Sequence, residues 1–297
     1  MNLFTFIYLI GVYIILNLFQ GFKHIDLNDQ LIYSSFFILL IGIPHGAIDH
    51  ILLFKKRKIS QFKFYVIYLG LIFLFLILWH LSVVYSLVLF LFISAFHFGE
   101  SQFPYLKIRQ LFKNIFYFLW GISLLSTLIF YNIDELKSIT LFFDDTLSLE
   151  QIYDLSRMTI LFYSTNILTI ISLVIFMFLE RMNIERFFSE IFLLSLIHIT
   201  FYLFPFIIGF TLYFVALHSL KVMNDEFIFL KNENQQFKLL DFIKLLAPYS
   251  ILSIFFTTIL LLLSYNNIID YSVPLLSLMI ISVITLPHAI VMNIFYN

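Results

Sequence analysis

Apolar runs of membrane-spanning length alternate with short polar joints at residues 3 to 20, 31 to 54, 62 to 79, 81 to 103, 111 to 131, 159 to 180, 187 to 204, 206 to 226, 245 to 264 and 272 to 296. Each approaches the roughly 20 residues that an α-helix needs to cross bilayer hydrocarbon. The pattern predicts an all-α fold, a polytopic integral membrane bundle of about ten transmembrane helices. The joints at His80 and Pro205 are tight enough that each reads as either a break or a kink. MNLFTFIYLIGVYIILNLFQ has neither a basic n-region nor a small-residue cleavage site, so it reads as a first span rather than a signal peptide. The whole chain, 1–297, reads as a single transmembrane domain. Its one sizeable polar insertion, 132–158, is acidic, and its LFF and SLEQIYDLSRM pieces suggest a short amphipathic segment lying on the membrane surface.

Charge orients this pattern. With alternating crossings, one side holds Lys55, Lys56, Arg57, Lys58, Lys63, Lys107, Arg109, Lys113, Arg181, Arg186, Lys221, Lys231, Lys238 and Lys244, and the other holds Lys23, Lys137 and Arg157. Basic residues in short loops stay on the cytoplasmic side, so this 14 to 3 split puts both termini in the cytoplasm. The insertion 132–158 then faces outward.

Composition narrows the class. The chain is 62% hydrophobic and 12% charged, about half the charge fraction of a soluble domain, so the lipid bilayer is its solvent. A net charge of −1 excludes a globally basic nucleic-acid binder. With no cysteine, there can be no disulfide, thiolate metal site or cysteine nucleophile.

The candidate chemistry lies in the histidines. The second, fourth, eighth and tenth spans run from outside to inside, and each carries a histidine in its cytoplasmic half. His45 lies nine residues before Phe54, His97 six before Phe103, His218 eight before Glu226 and His288 eight before Tyr296. At 1.5 Å per residue these sit about 9 to 14 Å from their helix ends, in one layer. His50 is closer to the surface, while His24, His80 and His198 fall on the outer side. A lone intramembrane histidine often only bonds a neighbouring helix. Four at one depth point to a functional interior, because polar groups in the bilayer are rare. Imidazole ligates Fe, Zn, Cu and Ni, and all four metals stay open at this point. Asp49 follows His45 by four residues and Glu100 follows His97 by three, so each carboxylate can share a helix face with its histidine and steady the ring. His45 and His50 are five apart, which is awkward for one ion in a regular helix; Pro44 and Gly46 could supply the distortion.

Together GIPHGAIDH, FHFGES, ALHSL and LPHAIVMN, spanning residues 42 to 293, resemble the Brp/Blh family of bacterial and archaeal β-carotene 15,15′-dioxygenases. The resemblance implies an integral membrane enzyme of the prokaryotic cell membrane. Such an enzyme would cleave β-carotene with O2 into two retinal molecules at non-haem Fe(II) held by histidines. It also implies a functional link to a retinal-binding rhodopsin. His45 carries over from the PHGxxDH motif, His97 from HFG and His218 from HS. Where some members have another histidine four residues after that of the HS motif, this chain has Val222. His288 and His50 are the candidates to complete the set, and depth favours His288.

Two other classes remain at this stage. A transporter also uses buried histidines and kinked helices, but no lysine or arginine is expected within the membrane, Lys63, Lys113 and Lys221 being counted with the flanking loops, and no inverted repeat is evident. A carotenoid or retinal carrier would keep an apolar tunnel without needing a histidine layer. A membrane di-iron desaturase would need HxxxH and HxxHH boxes, which do not occur.

Overall fold

The structure is a computed structural model that describes residues 3–18 and 25–297. His24 and Lys23 lie outside the described residues. The helices are α1 (Leu3–Leu18), α2 (Leu27–Phe37), α3 (Asp49–Lys56), α4 (Gln61–Leu81), α5 (Val83–Gln102), α6 (Gln110–Tyr131) and α7 (Ile133–Phe142). They continue as α8 (Leu155–Phe178), α9 (Ile184–Leu203), α10 (Phe206–Leu212), α11 (Leu220–Glu233), α12 (Leu239–Tyr265) and α13 (Val273–Tyr296). No strand occurs among the described residues. Nine helical stretches in that range are long and apolar enough to cross a membrane, and α1 is a shorter apolar helix of 16 residues. The chain is an all-helical polytopic membrane protein, as its apolar runs predict.

Local chemistry sets the boundaries. Ser60, Asp154, Asn183 and Ser272 each accept a hydrogen bond from a first-turn N–H and so start α4, α8, α9 and α13. Both tight joints are breaks. Ser82 is extended (φ −161°, ψ 111°) and ends α4. Phe204 is extended too (φ −106°, ψ 152°), because the ring of Pro205 disfavours helical geometry in the residue before it. Pro248 and Pro287 lie inside α12 and α13 without ending either. The acidic insertion contains α7 and a 3-10 stretch, Asp144–Ile152.

Two junctions depart from α geometry. A π-helical turn, Ile38–Gly42, and a 3-10 turn, Ile43–Gly46, connect α2 to α3. A second π-helical turn, Tyr213–Ser219, connects α10 to α11. Such turns rotate the side chains that follow relative to a regular helix and are frequent at functional sites.

The chain forms two compact units. One comprises the residues up to Ile38, Ala95–Ile139 and Tyr153–Lys221. Here α6 packs against α8 and α9, and α10 against α2, α9 and the π turn that follows it. Ser123 donates to Asn166 Oδ1 at 2.7 Å, Asn166 donates to Thr127 Oγ1 at 3.1 Å, and Ser126 bonds Thr165 at 3.1 Å, tying α6 to α8. Glu135 of α7 accepts from the N–H of Phe206 at 2.6 Å and from Gln30 at 2.7 Å, which caps α10 and holds α2. The other unit comprises Leu39–Ser94, Thr140–Ile152 and Val222–Asn297. In it α13 packs on α3, α4 and α12, and Trp79 donates to Ser282 at 2.7 Å. Ile48, Leu52, Val222, Leu230, Val291 and Met292 are buried together in its apolar core.

Candidate metal centre

The first unit holds His97 and His218. His97 sits on α5 between Ala95 and Gly99, and both of these small residues meet the backbone of α6. A Cβ on Gly99 would collide with the carbonyl of Tyr117, and a Cβ on Gly121 would collide with the carbonyl of Ala95. Two backbones in contact at two levels fix the height and rotation of α5, and with them the origin of the His97 side chain. His218 is in the Tyr213–Ser219 π turn, all seven of whose residues are buried. The two rings are both 1% exposed and meet edge to face with centroids 4.8 Å apart. Phe98 and Phe214 flank His218 with centroids at 4.8 and 5.5 Å. His218 Nδ1 lies 3.1 Å from the hydroxyl of Ser101.

The second unit holds His45 and His288, with centroids 4.6 Å apart, again edge to face. His45 is partly buried in the 3-10 turn, and its Nδ1 bonds the carbonyl of Gly42. His288, buried on α13, places Nδ1 2.9 Å from Asp49 Oδ1, while Tyr68 donates to Asp49 Oδ2 at 3.0 Å. A Cβ on Gly46 would stand 3.2 Å from His288 Nδ1, so the chain passes close to this ring and a larger residue would press on it.

These bonds determine where the ring protons are. A backbone carbonyl and a carboxylate can only accept, so His45 and His288 each carry their proton on Nδ1 and present the lone pair of Nε2. In both cases the acceptor orients the ring and raises its basicity, as behind many metal-ligating histidines. Nothing in this donor set is a thiolate, and the neutral nitrogens suit Fe, Zn, Cu or Ni.

The remaining candidates separate clearly. Spacing paired Asp49 with His45, but Asp49 bonds His288, because the 3-10 turn at Ile43–Gly46 breaks the regular four-residue register. Glu100 is inside α5 and 1% exposed, not at the start of a solvated loop. His50, on α3, packs on Tyr249 at 4.7 Å and near Tyr65 at 6.4 Å. His198 belongs to the polar network of the first unit, with Nε2 2.9 Å from Asn166 Oδ1, and His80 is exposed at the end of α4. Sequence reasoning passed over Ser101, Tyr68, Gly99 and Gly121. Gly99 carried a legible signal, since Ala95 and Gly99 stand four apart as small residues do where helices touch.

The family model described as β-carotene 15,15′-dioxygenase matches residues 36–296. The chain belongs to that family. The match takes in all four histidines, Asp49 and Ser101. A β-carotene 15,15′-dioxygenase of an uncultured marine bacterium, 66A03, is 37% identical over 71 residues, covering 22% of this chain and 26% of that relative. No solved structure matches. The two histidine pairs are thus those of one member of the β-carotene 15,15′-dioxygenase family.

Proposed function

We propose that this chain cleaves β-carotene at its central 15,15′ double bond with O2, giving two molecules of retinal, and that His45, His97, His218 and His288 hold the Fe(II) it uses. Family membership supports the reaction, and one observation supports the site. Each unit brings two histidines from separate segments to within 4.6 or 4.8 Å between ring centroids. In the reaction, the carbon–carbon double bond is lost and each of its carbons takes one oxygen atom, so one O2 yields two aldehydes.

Bound at these nitrogens, Fe(II) would supply the activation of O2, and an all-imidazole set of four leaves coordination positions for it. The chain's own residues do the rest. Asp49, steadied by Tyr68, holds the His288 proton on Nδ1, and Gly42 does the same for His45. Phe98 and Phe214 exclude water from His218 and offer a polyene an apolar wall. The substrate is an apolar hydrocarbon dissolved in lipid, and this protein is built to meet lipid. We further propose residence in the prokaryotic cell membrane with both termini cytoplasmic, and delivery of the product to a retinal-binding rhodopsin.

Expression in a bacterium that makes β-carotene tests the reaction. Loss of the orange pigment with a gain of two molecules of retinal for each β-carotene lost is the expected outcome. Intact β-carotene beside membrane-inserted protein would remove the enzyme reading and leave a carrier or transporter. Unequal apocarotenals would keep oxygenase chemistry and reject central cleavage.

A further inference from the structure

His218 differs from His45 and His288 in having a hydroxyl behind it, and a hydroxyl can donate or accept. The structure resolves the choice by counting protons. Ser101 has a single O–H, and it donates that proton to the carbonyl of Phe98 at 3.0 Å. Its oxygen is then available to His218 Nδ1, 3.1 Å away, only as an acceptor. The ring must be the donor, so the lone pair lies on Nε2.

The same serine is gripped from its other side. Lys221, three residues after His218 on the continuing helix, donates to the carbonyls of Ser101 at 2.7 Å and Gln102 at 3.1 Å, and to Gln102 Oε1 at 3.1 Å. These carbonyls end α5, where no further turn of helix can satisfy them and a cation is favoured. Gln102 passes the hold to α9 by donating to Glu190 at 2.8 Å. Arg186 covers the ring of Tyr105 at 3.3 Å, and Tyr105 bonds Glu190 at 3.4 Å, which closes the cluster. Ser101, Gln102 and Glu190 are 3%, 8% and 6% exposed, so water competes little for these bonds. One helical turn thus holds Ser101 at two points, by ring to hydroxyl and by ammonium to carbonyl.

We propose that Ser101 and Lys221 form a clasp that fixes His218 as the Nδ1–H tautomer and aims its Nε2. Both are positioning residues, acting on a metal through His218, and the effect on metal affinity rests on the four-histidine reading above. The fixing of the tautomer does not rest on it, because it is a property of the metal-free protein.

The experiment uses the full chain in lipid bilayers, metal-free, with 15N in its imidazole rings, read by solid-state NMR; the His218→Gln spectrum assigns the ring by difference. A single Nδ1–H ring is expected in the parent chain and in Ser101→Thr, which keeps the hydroxyl. Ser101→Ala should give a mixture of tautomers and weaken Co(II) binding about 10 to 100-fold, the usual loss when the partner behind a ligand is removed. A ring that stays Nδ1–H in Ser101→Ala, or is Nε2–H in the parent, would overturn the clasp. Mixed tautomers with unchanged Co(II) affinity would uphold the clasp and reject His218 as a ligand. If Ser101→Ala does not reach the membrane, Lys221→Met carries the test: it keeps the hydroxyl but frees the helix end, so a mixed ring supports the clasp and an unchanged ring overturns it.

Discussion

Asp49 and His288, 239 positions apart, are joined by a 2.9 Å bond between Oδ1 and Nδ1 with both side chains buried. The pair ties α3 to α13 and sets the direction of the His288 lone pair. We expect Asp49→Asn, which can still occupy the space but offers no charge, to lower iron affinity or activity about 10 to 100-fold. Tyr68→Phe removes only the bond to Oδ2 and should cost less. Iron content after dialysis against a graded chelator measures both, and equal retention in Asp49→Asn and the parent would deny the pair its role.

Replacing any of His45, His97, His218 or His288 by alanine should abolish activity and lower bound iron, because no cysteine or thiolate can substitute. His80→Ala and His198→Ala should keep their iron, as should His24→Ala. His198→Ala should instead lose about 0.5 to 1.5 kcal/mol of stability, the net value of one hydrogen bond, because Asn166 Oδ1 keeps its bond from Ser123. His50 decides the fourth ligand. Its ring packs on Tyr249, so His50→Ala should retain metal. An empty site in that variant, with iron kept in His288→Ala, would exchange their roles.

Gly99→Ala and Gly121→Ala should each fail or be severely destabilised, by about 3 kcal/mol or more. The added methyl meets backbone carbonyls, which cannot rotate aside as a side chain can. Gly46→Ala is the milder case, since its neighbour is the His288 ring at 3.2 Å, which can yield by a few tenths of an ångström. Thermal unfolding in detergent would rank the three, and a Gly99→Ala chain as stable as the parent would contradict the close contact of α5 and α6.

A reporter active only in the cytoplasm should work when fused after Lys58 or Lys238 and fail after Asp145, given the 14 to 3 division of basic residues. A cytoplasmic signal at Asp145 would invert the proposed orientation and undo the common depth assigned to the four histidines.

The amino-acid sequence carries the all-helical membrane class, the rough limits of the long helices, and the candidacy of His45, His97, His218 and His288, while its count of about ten spans compares with nine of spanning length among the described residues and the shorter α1. Those properties depend on hydrophobicity and spacing, which accumulate along the chain and survive errors of a few residues. Tertiary structure decided which partner each ring took. Asp49 turned to His288 and not to His45, because a π turn and a 3-10 turn between Ile38 and Gly46 rotate everything after them out of regular register. Ser101 met His218 only through the π turn at Tyr213–Ser219 and the grip of Lys221. A hydrogen bond is made or lost within about half an ångström, and that tolerance is set by helix packing, which no linear spacing encodes.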